Sequence, residues 1–234
     1  MDMVTMSRRT LLRHGSVVAA GLALPWVARG QPAQPRNTVT VLTEGYVHAI
    51  EGRQLIPGTT PDGARRIAST VVLIQGENAI VVADPGMVTD RGLIIDPLTK
   101  AGVSPQAVTH IFISHHHPDH TVNMALFPNA EVVDFWGMYK GDMWRDHGDG
   151  YEMAPGITVL RTPGDTAEDA SLLVETTEGT YALTHCWWFP DMTPDKDPIA
   201  WNQAQLDASR QKIATIADWI IPGHGKRVKN PRKG

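Results

Sequence analysis

The stretch Ser114-His115-His116-His117-Pro118-Asp119-His120 concentrates the side chains best able to do chemistry in this chain. It follows Ile111-Phe112-Ile113, an apolar run of strand length, so the histidines are expected where a strand gives way to a loop. His115 and His117 are two residues apart, and in extended backbone both imidazoles project to one side and can close on one cation. Pro118 then bends the chain, and Asp119 and His120 offer a second set of donors. Nitrogen and oxygen donors in this order suit a divalent transition metal, whereas an isolated pair of histidines at strand spacing would say little.

Further chemistry-bearing residues fall at other predicted strand ends. Thr70 to Ile74 and Ala79 to Ala83 form a hairpin around Gln75-Gly76-Glu77-Asn78 that runs out in Asp84-Pro85-Gly86. Asp84 is placed to accept a hydrogen bond from a metal-ligating histidine, orienting that ring from behind. A helix within Thr89 to Ala101, stopped by Gly102, leads to the strand Val108 to Ile113 that delivers the histidines. One or two helical turns over Thr121 to Phe127 and a strand over Ala130 to Phe135 follow, then a glycine- and aspartate-rich loop with Trp136, Tyr139 and Trp144.

The second half repeats the plan. Ile157 to Leu160 leads into Thr162-Pro163-Gly164-Asp165, and a hairpin of Leu172 to Thr176 with Thr180 to Thr184 delivers His185-Cys186. Trp187 and Trp188 come next and could wall an apolar pocket. A helix over Ala208 to Ile216 and a short strand over Trp219 to Ile221 lead to Pro222-Gly223-His224-Gly225, after which a basic tail remains.

Composition limits what these residues can serve. A chain of 234 residues with 42% hydrophobic and 20% charged residues is expected to form one domain with a substantial core. The net charge of -4 offers no basic footprint for nucleic acid. Ser7-Arg8-Arg9-Thr10-Leu11-Leu12-Arg13, followed by an apolar stretch from Val17 to Val27, reads as a twin-arginine export signal over residues 1–30. That stretch is too short for a spanning helix, so no stable membrane anchor is expected. Loss of Arg8, Arg9, Arg13, Arg29 and Asp2 on cleavage would take the net charge from -4 to -7. The expected division is a cleaved signal for the export machinery at 1–30, a spacer at 31–37 and one domain over 38–234, delivered to the periplasm. The lone cysteine excludes an internal disulfide, which leaves Cys186 as a buried thiol or a ligand.

HxHxDH, a Thr-Pro-Gly-Asp turn, a cysteine at a late strand end and a final Gly-His together resemble the metallo-β-lactamase superfamily over roughly Thr70 to Gly225. The run Ser209 to Gly225 is similar to its metallo-β-lactamase domain-containing protein 1 branch. The resemblance implies an α/β fold, a four-layer αββα sandwich, and probes of metal content should find zinc, two ions per chain. It implies that His115 and His117 belong to a first site, and that Asp119, His120 and His224 fill a second. Two positions depart from the family pattern. Asp165 stands where the family has histidine, and Cys186 stands near the place of its bridging aspartate, with His185 beside it as a competing ligand and His147 able to approach from its loop. A carboxylate at Asp165 leaves the first metal open to iron or manganese as well as zinc.

The function this implies is an exported hydrolase that uses a metal-bound hydroxide to cleave an ester, lactone, lactam or related bond in a small molecule, with Asp119 moving the proton. Two other readings stay open. His115, His117 and Asp165 alone form the ligand set of a mononuclear iron oxygenase, here acting on a sulfur compound. The two altered positions would also suit a non-catalytic metal-binding descendant.

Overall fold

The computed structural model describes residues 37–50 and 56–233. The expected signal at 1–30 and the spacer up to residue 36 lie outside the described residues. Asn37 is no spacer residue: it is buried, and its side-chain amide donates to the carbonyls of Pro155 and Glu175.

In chain order the strands of the first half are β1 (Thr38–Thr43), β2 (Tyr46–Ala49), β3 (Arg65–Ala68), β4 (Val71–Gln75) and β5 (Ile80–Ala83). Helix α1 (Gly92–Lys100), strand β6 (His110–Phe112), the short α2 (Pro118–Thr121) and β7 (Glu131–Val133) follow, then β8 (Gly137–Lys140) and β9 (Met143–Asp146). The second half contains β10 (Tyr151–Ala154), β11 (Ile157–Arg161), β12 (Ala170–Thr176), β13 (Gly179–Thr184), α3 (Gln203–Ile216), β14 (Trp219–Pro222) and β15 (Val228–Lys229).

These strands make a seven-stranded sheet in the order β1-β4-β5-β6-β7-β8-β9 and a six-stranded sheet in the order β10-β11-β12-β13-β14-β15. Both are mixed: β5, β6 and β7 run parallel in the first, as do β13 and β14 in the second. One apolar cluster joins the inner faces of the two sheets through Val72, Ile74, Val81, Phe112, Ile157, Leu172, Val174 and Tyr181. A second cluster packs Ile94 and Leu98 of α1 on the outer face of the first sheet, against Leu73, Val82 and Ile111. A third packs Leu206 and Ile213 of α3 on the outer face of the other, against Ala182 and Ile220. Alternate residues of β4 and β5 thus serve different layers, as the two-residue repeat of a strand requires. The result is the expected four-layer αββα sandwich.

Several local expectations change. The glycine-rich segment after Phe135 is not a loop but the β8–β9 hairpin, with Gly137 so close to Arg145 that a Cβ there would meet the Arg145 carbonyl oxygen at 2.3 Å. Helix α3 begins five residues before the expected Ala208, because Asn202 caps it by accepting from the Gln205 N–H. The tail is also structured: β15 pairs with β14, and buried Asn230 donates to the carbonyls of Ala214 and Ala217. Strands β2, β3 and β10 were not anticipated.

Candidate metal centre

The donors lie at the C-terminal ends of strands that point the same way. Asp84 follows β5, His115 and His117 follow β6, Asp165 follows β11, His185 follows β13 and His224 follows β14. Pro118 opens α2, a position where its missing N–H costs nothing, and this single turn swings Asp119 and His120 back over the strand end.

The backbone is arranged to hold these side chains. Asp84 has φ 46°, a left-handed conformation uncommon for a residue with a Cβ. Its N–H donates to the Phe112 carbonyl at 2.9 Å, and its own carbonyl accepts from Ser69 Oγ at 3.1 Å. One carboxylate oxygen accepts the Ser114 N–H at 2.8 Å while the other faces His120 Nδ1 at 3.0 Å. Asp84 thus faces His120 Nδ1, the ring nitrogen that is not turned toward Asp119. In the same way His224 Nδ1 donates to the Ala68 carbonyl at 2.8 Å, which turns Nε2 of that ring inward.

Three groups of donors result, each with its ligand atoms within 4.8 Å of one another: His115, His117 and Asp165; Asp119, His120 and His224; and His115, His120 and His185. His115 Nε2 and His117 Nδ1 lie 3.7 and 3.6 Å from Asp165 Oδ2. Asp119 Oδ2 lies 3.4 Å from His120 Nε2 and 3.8 Å from His224 Nε2. These separations are too long for good hydrogen bonds but match donors that share a cation, which stand roughly 3.3–3.6 Å apart when each is about 2.0–2.2 Å from it. Asp119 Oδ2, His120 Nε2, both oxygens of Asp165 and His185 Nδ1 are buried without a hydrogen-bond partner. Buried polar atoms are ordinarily satisfied, so five unsatisfied donor atoms converging on one place fit a bound divalent cation.

Electrostatics agree with that fit. Burial, reinforced by Asp169 and Asp197, pushes the Asp165 carboxyl up to about 8. Burial and the neighbouring His120 hold His115 and His185 well below the ordinary imidazole value, and the same two causes bring His224 down to about 4. His120 goes the other way: burial opposes its charge, but the carboxylates of Asp84 and Asp119 raise it to about 10. Burial also opposes the Asp119 charge, and the close approach of His120, with His224 and His185 beyond it, overcomes it, so this carboxyl is lowered. Neutral rings with free lone pairs are the form that binds a metal, which His115, His185 and His224 already have, whereas His120 and Asp165 must give up a proton to a bound cation.

The donors open into a cavity of about 300 Å³. His117, Asp119, His185 and His224 form its polar floor; Ile67, Met87, Pro118, Trp188 and Ile199 form apolar walls, and Arg65 stands at the edge. Trp188 is fixed there by its indole N–H, which donates to Asp197 at 2.6 Å.

Other expected site residues lie elsewhere. Cys186 packs with Ala182, Trp187, Leu206 and Ile213 between β13 and α3, where burial raises its thiol to about 12. It belongs to none of the donor groups, and His185 occupies the place expected for it. Trp187 is fully buried in the same cluster and does not wall the cavity; only Trp188 does. His147 stacks on Tyr151 and bonds the Asp134 carbonyl, outside the donor groups. His116, between two donors, turns outward to Asp134 at 2.9 Å. Trp136 and Trp144 are exposed on the β8–β9 segment, away from the cavity lining.

Residues 64–193 match the family model of the metallo-beta-lactamase superfamily. A relative from Xenopus laevis, metallo-beta-lactamase domain-containing protein 1, is 32% identical over 202 residues, covering 83% of this chain and 82% of its own. An N-acyl homoserine lactonase from Bacillus cereus is 28% identical over 111 residues, covering 41% of this chain and 44% of its own. Among solved structures, a putative metallo-beta-lactamase from Thermotoga maritima shares the fold with a TM-score of 0.59 at 17% identity, over 83% of this chain and 99% of that one.

Proposed function

Because this chain belongs to the metallo-beta-lactamase superfamily, we propose that it is a metal-dependent hydrolase of small molecules, dinuclear with zinc, that cleaves an ester or lactone bond. The observation that carries this reading is the pair of half-sites, each of two imidazoles and one carboxylate and all but His117 buried, at the floor of an apolar cavity. A cation held there supplies Lewis acidity and lowers the pKa of water to around 7. His115, His117 and Asp165 would hold one ion, and Asp119, His120 and His224 the other.

The chain's own residues supply positioning and proton transfer. Asp84 and the Ala68 carbonyl fix His120 and His224 with their Nε2 atoms facing inward. Asp119 stays ionised; Oδ2 faces His120 and His224, where a cation would sit, and the other oxygen, Oδ1, accepts the proton of the attacking water and returns it to the leaving oxygen. Ile67, Met87, Trp188 and Ile199 exclude bulk water and seat an apolar arm of the substrate. Likeness to an N-acyl homoserine lactonase supports a lactone carrying an acyl chain. Arg65 at the cavity edge favours a substrate or product carboxylate.

The second half-site argues against the iron oxygenase reading, which would leave Asp119, His120 and His224 without a role. We also propose, from Ser7 to Arg13 alone, that the chain is exported to the periplasm by the twin-arginine machinery; fusion of residues 1–40 to a reporter and fractionation test this. For the enzyme, the zinc-loaded protein is assayed against esters, lactones, lactams and phosphoesters, with His117→Ala as control. Turnover of an acyl lactone or ester that His117→Ala abolishes is expected. Activity retained in that variant, or no uptake of divalent metal, overturns the proposal.

A further inference from the structure

The hydrolase reading leaves His185 unassigned, although it is buried, lines the cavity floor and stands between the two half-sites. We propose that His185 donates Nδ1 to the half-site of His115, His117 and Asp165, closing it and leaving the open coordination position to the half-site of Asp119, His120 and His224. This inference rests on the hydrolase reading and sharpens it.

Distances carry the first step. Asp165 Oδ2 is 3.5 Å from His185 Nδ1, almost the same as its 3.6 and 3.7 Å separations from His117 Nδ1 and His115 Nε2. Three imidazole nitrogens therefore lie 3.5, 3.6 and 3.7 Å from one carboxylate oxygen, close to the roughly 3.3–3.6 Å of shared ligands, while His115 Nε2 and His117 Nδ1 are 2.9 Å apart and His185 also falls into a group with His115 and His120. His185 Nδ1 and both Asp165 oxygens are buried and unpaired, so the close approach is not a hydrogen bond between them.

The tautomer carries the second step. A neutral imidazole has one lone pair, so His185 can serve one half-site only. Its Nε2 lies 3.3 Å from His224 Nε2, and one proton must sit between them. His224 already carries its proton on Nδ1, donated to the Ala68 carbonyl. The shared proton is therefore on His185 Nε2, and the His185 lone pair is on Nδ1, toward Asp165.

Chemistry follows from this asymmetry. A zinc site with four protein donors is closed, whereas one with three keeps a place for water or substrate. Asp119 and His224 of the three-donor half-site both line the cavity, and Asp119 is the proton carrier. Filling that half-site also breaks the His185–His224 hydrogen bond, so the closed half-site fills first.

Stepwise titration of the metal-free protein with Co2+ tests this, read by visible absorption and by competition with a chelator. Wild type should bind a first equivalent more tightly, with the intense band of four-coordinate cobalt, and a second more weakly. His185→Gln should lose the intense band and at least tenfold in the first affinity, with the second no weaker than in wild type. Loss of the second equivalent instead, or an intact first band, overturns the assignment. Asp165→Asn should reproduce the loss of the first equivalent and serves if His185→Gln does not fold. Wild type that binds no Co2+ would overturn the hydrolase reading itself, whereas two bound ions that ignore His185 would overturn only this inference.

Discussion

Gly223 lies flush against the imidazole of His185: a Cβ at position 223 would stand 2.1 Å from His185 Cδ2 and 2.6 Å from Nε2. Gly223 is held there by its N–H to the Trp187 carbonyl and its own carbonyl to the Thr70 N–H, so the backbone cannot retreat. Gly223→Ala should therefore move the ring rather than the chain. The expected result is a folded protein, less stable by about 1–3 kcal/mol, that binds less metal. Elemental analysis beside thermal unfolding checks both.

Asp84→Asn keeps a residue type that tolerates positive φ but removes the charge facing His120 Nδ1. Metal affinity should fall roughly 10–100-fold with the fold retained. Chelator competition measures it, and an unchanged affinity would mean that Asp84 does not orient His120.

The Asp165 carboxyl sits at about 8 in the metal-free protein, so below that pH a cation must displace its proton. Metal uptake should strengthen as pH rises through about 8 and continue to strengthen toward about 10, where His120 also gives up its proton, with proton release measurable in calorimetry in different buffers. The sign for folding is opposite. A carboxyl raised in the folded state stabilises at low pH, and that contribution is lost between the ordinary carboxylate range and about 8. The metal-free protein should thus become less stable across this window, as far as Asp165 governs it.

Cys186 should behave as a core thiol. Its burial and raised pKa predict no reaction with a thiol reagent at neutral pH until the protein is unfolded. Cys186→Ala should keep full metal content and cost about 1 kcal/mol. Lost metal in this variant would return the thiol to the ligand set.

Arg65→Ala should raise KM for substrates that carry a carboxylate and leave neutral esters unaffected, with kcat unchanged for both. Steady-state kinetics on a matched pair of substrates decide it, and equal effects on the pair would remove Arg65 from recognition.

The sequence-derived picture was strongest where one local rule governed the outcome. The apolar run before Ser114 and the two-residue spacing of His115 and His117 brought out the strand, the loop and the first donors. The hairpins β4–β5 and β12–β13 were legible for the same reason, as short strand-forming runs bounded by glycine turns. The choice between His185 and Cys186 was not. Neighbours at a strand end point to opposite faces, and which one turns toward the site depends on α3 packing over the other face, a long-range contact. Trp187 follows Cys186 into that layer, while Trp188 reaches the cavity through its bond to Asp197. Strands β2 and β3 escaped notice because their pairing joins segments separated by a long connection, and β8–β9 because its glycines read as loop.

The first half of the chain supplies His115, His117, Asp119 and His120, and the second supplies Asp165, His185 and His224, one group from each sheet's end. Covalently the two sheets meet at the crossing from β9 to β10, where Gly148, Asp149 and Gly150 are exposed. A cation among these donors is thus a rivet through both halves: cleavage at that crossing would leave two fragments that stay clamped while loaded, and a chelator would loosen the clamp.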